Sequence, residues 1–150
     1  MIYIYNFFFA IICTVGFGVL FNVPKSSLFK AGLGGGVGWV LYNLFFNLTD
    51  SSVLATFVAS FAIAVIGEIF AVLYRNPITM YIIPGIVPLV PGYGLYYTML
   101  SIIDKNYDSA ATYGSESLLI SIAIAGALTI VLSINTFRKS RKPYRKKHLR

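Results

Sequence analysis

The amino-acid sequence predicts an all-α, polytopic membrane protein whose five membrane-spanning helices take up nearly the whole chain. Of its 150 residues, 57% are hydrophobic and 11% are charged, whereas soluble domains contain about 45–50% apolar and about 25% charged residues. The apolar residues form five long runs that are separated by short polar links. Because a spanning helix needs roughly 20 apolar residues, five spans leave no room for a second, soluble domain.

Prolines, glycines and polar links mark the ends of the predicted spans. The spans comprise residues 2–21, 31–48, 53–74, 78–103 and 116–137. The first ends before Pro24, because proline disfavours a helical conformation at the residue that precedes it. The second opens with a glycine-rich stretch in which Gly32 and Gly36 have the spacing that lets another helix approach closely. We expect residues 104–115 to form the longest internal loop, with Glu116 in the first turn of the last span, where an acid is favourable.

The basic residues predict the orientation of the chain in the membrane. Eight of the 12 Lys and Arg residues lie in a basic tail, 138–150, which follows a membrane domain, 1–137. If this tail is cytoplasmic and five spans precede it, the N-terminus is outside. Eleven basic residues are then inside, Lys25 and Lys30 among them in the loop after the first span, and only Lys105 is outside, as the positive-inside rule favours.

The basic tail needs no specific partner other than the lipid bilayer. Basic segments next to a span interact with anionic headgroups, and this one contains a single aromatic residue, Tyr144. Proteins that bind single-stranded nucleic acid interleave several stacking aromatic residues with their cations. We therefore expect no nucleic-acid partner.

One acidic residue, Glu68, lies deep within a predicted span. A central acid costs a few kcal/mol to insert, and such residues usually face a bundle interior or a water-filled path. Small and polar residues recur every three or four positions along this helix, and they comprise Thr56, Ser60, Ala64, Glu68, Ala71 and Arg75. Glu68 is therefore a candidate for proton titration or substrate binding. The alternatives are a structural acid that is bonded to a neighbouring helix and a span boundary that lies closer to Glu68.

The fourth span has a centre rich in proline and glycine, which reads Pro84-Gly85-Ile86-Val87-Pro88-Leu89-Val90-Pro91-Gly92. Each proline removes a backbone donor and disturbs the helix. Irregular backbone is tolerated at membrane depth only where it is buried in protein or lines a cavity. A second half-helix that opens at Gly92 and Tyr93 would offer N–H groups to an anion, while unwound carbonyl groups suit a cation. This pattern favours a zwitterion or a carboxylate as the ligand, and the alternative is a rigid kink that serves packing alone.

Glu68 and Pro84 are predicted to lie at a similar depth. Counted from the Arg75-Asn76-Pro77 link between the two spans, both are roughly 9 Å inside the membrane boundary at about 1.5 Å per residue. We therefore expect the acid and the broken backbone to share one site, with Arg75 at its cytoplasmic mouth. The sequence contains no metal-ligand cluster, no phosphate-binding loop and no nucleophile–base pair, so neither a cofactor nor an enzymatic activity is expected.

Several stretches resemble the threonine/serine exporter family. They are Phe21-Asn22-Val23-Pro24-Lys25 through Gly38-Trp39, Ile66-Gly67-Glu68, Arg75-Asn76-Pro77 and, most specifically, Ile83 to Gly92. The chain is most similar to the short YjjB-type subunit, which corresponds to the C-terminal membrane half of the longer exporters. The resemblance implies a secondary transporter in the bacterial cell membrane that exports small hydroxy amino acids, with succinate-like carboxylates as a related substrate class, by proton antiport.

The same resemblance implies a heteromer, in which a larger membrane subunit of the YjjP type supplies the other half. In that arrangement Glu68 would carry the coupling proton or bind the substrate ammonium group, and residues 84–92 would bind the carboxylate. The rival interpretation is a non-transporting subunit that serves assembly or anchoring. A homo-oligomer is also left open.

Overall fold

The chain folds into a bundle of α-helices. The structure, a computed structural model, describes residues 2–140, and the side chains of residues 3–134. Its helices are α1 (Ile2–Leu20), α2 (Lys25–Thr49), α3 (Ser52–Tyr74), α4 (Thr79–Ile86), α5 (Gly92–Ile103) and α6 (Tyr107–Ser140), with a short 3-10 helix, Val87–Leu89, between α4 and α5. No strand occurs in this part of the chain. The prediction of an all-α fold is therefore confirmed for the described residues.

Three of these helices, α1, α3 and α6, are long and apolar enough to cross a membrane. Helices α4 and α5, bent by 50° at the break between them, meet the same criterion as a pair, either as one broken span or as a re-entrant loop. The structure thus contains three or four candidate spans among its described residues, where the sequence predicted five. The helix that falls short is α2, in which glycine, lysine and asparagine dilute the apolar residues.

The first loop is shorter than predicted, because α2 begins at Lys25 directly after Pro24. Lys25 and Lys30 therefore belong to the helix, and their placement in a loop was wrong. Proline is compatible with this position, because the first N–H groups of a helix have no acceptor within the helix. Lys30 is stabilised on the helix by the ring of Tyr74, whose centroid lies 3.2 Å from its Nζ atom, a cation–π contact.

The loop predicted at residues 104–115 is also wrong, because α6 already begins at Tyr107. Asn106 caps the helix, since its Oδ1 atom accepts a hydrogen bond of 3.2 Å from the backbone N–H of Ser109. Glu116 consequently lies well inside α6 rather than in its first turn. The 34 residues of α6 make a helix longer than the hydrocarbon core, which is about 30 Å thick. Polar residues can therefore continue the helix past the apolar stretch.

Helix α2 lies at the centre of the bundle, where its glycines let neighbouring helices approach closely. A Cβ atom at Gly32 would lie 2.9 Å from Val15 of α1, and one at Gly36 would lie 2.8 Å from Ile11 of the same helix. On another face, a Cβ atom at Gly38 would collide with Ile63 of α3. Helix α2 thus meets protein on opposite sides, which explains why its composition is less apolar than that of the outer helices.

Candidate functional site

The backbone between α4 and α5 is unwound over a shorter stretch than the sequence suggested. Pro84 lies inside α4, where its missing donor affects only one carbonyl of a short helix. The irregular stretch is confined to residues 87–91, in which the N–H of Val90 donates to the carbonyl of Val87 at 3.2 Å. Pro91 then occupies the cap position of α5, which begins at Gly92.

A cavity of about 430 Å³ opens beside this unwound stretch, and we call it the break cavity. Its walls come from α2, α3, α5, α6 and residues 88–91. Aromatic rings form much of the lining. The rings of Trp39 and Tyr42 are stacked, with their centroids 5.2 Å apart. The ring of Tyr93 packs against that of Tyr97, and their centroids are 4.4 Å apart.

The polar lining of the break cavity is acidic and hydroxyl-rich. Glu116 of α6 accepts a hydrogen bond at its Oε1 atom from the hydroxyl of Ser52, at 2.8 Å. Thr56 and Ser117 add two buried hydroxyl groups, and that of Ser117 donates to the carbonyl of Tyr113 at 2.8 Å. Among the described residues that line this cavity there is no Lys or Arg. The site therefore carries negative charge with hydrogen-bonding groups around it.

The N-terminus of α5 also opens on the break cavity. Its cap residue, Pro91, makes no side-chain hydrogen bond to the helix, and the N–H of Gly92 is used by the carbonyl of Val90 at 2.7 Å. In the described part of the chain the N–H groups of Tyr93 and Gly94 have no backbone acceptor, as is usual for a first helical turn. Both residues line the cavity, so this end of α5 offers donors and the positive end of a helix dipole.

Gly94 brings this helix end close to α6. A Cβ atom at Gly94 would collide with the hydroxyl oxygen of Ser117 and would lie 3.5 Å from the carbonyl oxygen of Tyr113. Only a residue without a side chain allows the two helices this approach. Tyr93, Gly94 and the exposed Glu116 thus line the same cavity.

The structure places Glu68 elsewhere, so the acid and the broken backbone do not share one cavity. Glu68 lines a separate groove between α3 and α6. The reason lies in helix geometry. A helix has 3.6 residues per turn, so Gly67, eleven positions after Thr56, points within about 20° of the direction of Thr56 around the axis of α3. Glu68, twelve positions after Thr56, points about 120° away from that direction. Gly67 accordingly faces α4, where a Cβ atom would lie 3.0 Å from Ile82.

The remaining predicted site residues lie in three different places. Pro88, Pro91, Gly92 and Tyr93 line the break cavity. Arg75 is the exposed cap residue at the end of α3, with a left-handed backbone at φ 54°. Pro84 and Gly85 are buried in the bundle. Pro84 lies beside a smaller cavity of about 160 Å³, and Gly85 lies against Ile63 and the backbone of Gly35.

A polar network closes the Arg75 end of the bundle. The side-chain amide of Asn76 donates to the hydroxyl of Ser27 at 3.0 Å and to the hydroxyl of Tyr81 at 3.2 Å. The hydroxyl oxygens of Ser27 and Tyr81 are themselves 3.3 Å apart, and both residues are buried. The network fixes the turn between α3 and α4. Within the described residues no group of His, Cys, Asp and Glu side chains is arranged to hold a metal ion.

Sequence reasoning missed the acid of the break cavity, Glu116, together with Ser52 and Ser117. Ser52 and Glu116 are far apart in sequence, and neither belongs to a motif. The signal that was available is the small and polar stripe of α3, whose members Thr56 and Ser60 are fully buried. Near the start of α3 this stripe lies on the face that lines the break cavity, and toward the end of α3 it turns away from that cavity.

Comparison with known proteins identifies the family. The family model for threonine/serine exporters, ThrE, matches residues 6–134. An uncharacterized protein of Haemophilus influenzae is 27% identical over 135 residues, which cover 87% of this chain and 46% of that protein. The chain thus spans about half the length of this curated relative, and no solved structure matches it. Because the family model covers most of its length, the chain belongs to the threonine/serine exporter family.

Proposed function

We propose that this chain is one membrane subunit of a secondary transporter that exports threonine, serine or a similar small amino acid, driven by the proton gradient. The observation that carries the proposal is the break cavity, found in a chain of this exporter family. A carboxylate, several hydroxyl groups and the free N–H groups of a helix start converge on it. This combination is complementary to a zwitterion with a hydroxyl side chain.

Each group of such a substrate has a partner in the cavity. The substrate ammonium group binds Glu116, and its carboxylate group binds the N–H groups of Tyr93 and Gly94 at the start of α5. Its hydroxyl group binds Ser52 or Thr56. A succinate-like dicarboxylate is the weaker candidate, because the described lining has an acid and no cation to balance a second negative charge.

The membrane arrangement that we propose has five spans. Helix α2, with 25 residues, reaches about 37 Å at about 1.5 Å per residue, which exceeds the hydrocarbon core of about 30 Å. Its glycines contact α1 and α3 instead of lipid, so it tolerates a less apolar composition. With α4 and α5 as one broken span, the N-terminus is outside and the basic tail is in the bacterial cytoplasm. Residues 141–150 of that tail lie outside the described residues.

A larger membrane subunit of the YjjP type supplies the other half of the transporter, and Glu68 carries the coupling proton. The length of the Haemophilus relative, about twice the part that matches this chain, supports a second half. Arg75, exposed at the end of α3, assists at the cytoplasmic mouth. In the rival interpretation the chain only assembles or anchors its partner.

Efflux measurements test this proposal. Cells that express the chain with and without the larger subunit are loaded with labelled threonine, serine or succinate, and efflux is followed before and after an uncoupler. We expect amino-acid efflux that needs both subunits and collapses with the proton gradient. Efflux of succinate alone would refute the zwitterion assignment, and no efflux from correctly inserted subunits would favour the non-transporting role.

A Glu116→Gln variant tests whether Glu116 binds the substrate. Loss of a charged hydrogen bond costs about 1.5–3 kcal/mol, so we expect the apparent KM for threonine to rise about tenfold or more. The matched control is Asp108→Asn, an exposed acid in the first turn of α6 that does not line the cavity. Equal behaviour of the two variants would remove Glu116 from the site.

A further inference from the structure

Among the described residues, Glu68 is the only charged one that lines an otherwise apolar groove on the outside of the bundle. This Glu68 groove, of about 590 Å³, lies between α3 and α6. Its other lining residues are all apolar, and they are Phe61, Val65, Ile69, Val72, Leu73, Val131 and Ile134. Several are largely uncovered, with 64% of Val72 and 66% of Leu73 exposed. In a bilayer this surface would face lipid tails.

The carboxylate of Glu68 has no partner within the described chain. No hydrogen bond or ion pair reaches it from residues 3–134. It lies six residues before Tyr74, the last residue of α3, and hence about 9 Å inside that end at about 1.5 Å per residue. An acid at such a depth is costly in contact with lipid, and acids in spans almost always face a bundle interior or pair with another group. Within the described residues the groove therefore leaves this acid without a partner.

We propose that the Glu68 groove is the docking surface for a second membrane half, which lays an apolar helix along α3 and α6 and presents a cationic or hydrogen-bond-donating side chain to Glu68. The Haemophilus relative has room for such an occupant, since this chain matches only 46% of its length. This inference rests on the second half invoked in the proposed function. It adds the surface on which that half binds and the chemistry that it must bring.

A second copy of this chain fits the groove less well. Copies of one chain usually associate about a two-fold axis, which places the same patch of each against the other. A two-fold contact centred on this groove would bring two Glu68 carboxylates together, and its described lining contains no cation to separate them. A different helical segment with a donor meets both requirements, since it covers the apolar walls and pairs the acid.

Site-specific photo-cross-linking tests the docking surface without any need for transport. The full chain carries a photoreactive amino acid at Val72 in the groove, or at Ile12 of α1 as the control. Ile12 is 67% exposed and lies outside the groove. Each is co-expressed with the epitope-tagged larger subunit. We expect an adduct that contains the tagged subunit from position 72 and none from position 12.

Each of the other outcomes would overturn the proposed occupant, the proposed surface or the two-subunit function. An adduct of two copies of this chain from position 72 would replace the proposed occupant by a homodimer. If the tagged subunit co-purifies but position 72 cross-links only to lipid, the groove is not the docking surface, although the two-subunit function stands. If the tagged subunit does not co-purify at all, both the occupant and the two-subunit function are wrong.

Substitutions of Glu68 separate docking from proton coupling. Glu68→Gln keeps an oxygen that accepts from a donor but loses the charge, so we expect recovery of the tagged subunit to fall less than with Glu68→Leu, together with loss of uncoupler-sensitive efflux. Glu68→Leu cannot pair the donor, and we expect recovery to fall at least tenfold while the chain still inserts. Unchanged recovery with Glu68→Leu would contradict the pairing. Asp108→Leu is the control for the loss of an acid.

Discussion

Gly35 is the position at which the bundle leaves least room for a side chain, and Gly35→Ala tests the helix packing that supports the unwound stretch. A Cβ atom there would collide with the hydroxyl oxygen of Thr14 and would lie 3.0 Å from both its Cβ and its Cγ2 atoms. Thr14 is fully buried on α1, and a β-branched side chain has few rotamers available in a helix. Thr14 has little room to move aside, so we expect α1 and α2 to separate.

The expected magnitude follows from two opposing effects. Overpacking costs about 1–3 kcal/mol, and collision with three atoms of a stiff side chain places this case in the upper half of that range. Replacing glycine by alanine inside a helix gains up to about 1 kcal/mol. We expect a net loss of about 1–2 kcal/mol. Gly16→Ala on α1 is the control, since no atom lies within 4 Å of its new Cβ atom.

Thermal or denaturant unfolding in detergent, together with the double variant Gly35→Ala/Thr14→Ala, measures this effect. Thr14→Ala removes two of the three colliding atoms, and its hydroxyl has no hydrogen-bond partner to lose. Neighbouring residues couple by about 0.5–3 kcal/mol, so we expect the double variant to recover at least about 1 kcal/mol of the loss. A Gly35→Ala variant as stable as Gly16→Ala, or strictly additive single effects, would refute the close contact of α1 with α2.

Two further predictions concern the ends of the bundle. Asn76→Ala removes both hydrogen bonds that the amide donates to buried hydroxyl groups, and we expect it to lower the free energy of unfolding by about 1–3 kcal/mol. The control, Asn47→Ala, changes an exposed residue and should cost little. Equal losses in the two variants would contradict the network. Ser52→Ala removes the hydroxyl that donates to Glu116. We expect the variant to insert normally and its apparent KM for threonine to change severalfold. An unchanged KM would place the substrate away from this pair.

The sequence predicted helix boundaries well where a local signal coincides with the end of an apolar run. Helix α3 was placed almost correctly because Ser51 caps it, accepting a hydrogen bond from the N–H of Leu54 at 3.4 Å. The predicted loop at 104–115 failed because hydropathy reports the solvent around a residue, not its backbone conformation. Residues 107–115 are polar, yet they continue a helix that Asn106 has already capped.

The break cavity could be predicted only in part. The prolines and glycines of residues 84–92 indicated an irregular backbone, and Pro88, Pro91 and Gly92 do line the cavity. Glu68 was expected to share the site because it lies at the depth of Pro84, but depth does not fix direction, and repeated steps of four residues drift around a helix by about 40° each. Over three such steps the error is about a third of a turn, enough to move a side chain from one neighbouring helix to the next. The partnership of Ser52 with Glu116 depends on how α3 packs on α6, which no local pattern encodes.

The two acids that the proposed mechanism uses lie toward opposite ends of the same helix pair. Ser52, at the first position of α3, holds Glu116 of α6, and Glu68 lies 16 residues further along α3, which is about 24 Å at about 1.5 Å per residue. At that separation the coupling proton and the substrate cannot compete for one carboxylate. Coupling must instead pass through a movement that changes both ends together. Helices α3 and α6 are suited to it, because the Ser52–Glu116 bond joins them at one end and both of them line the Glu68 groove at the other.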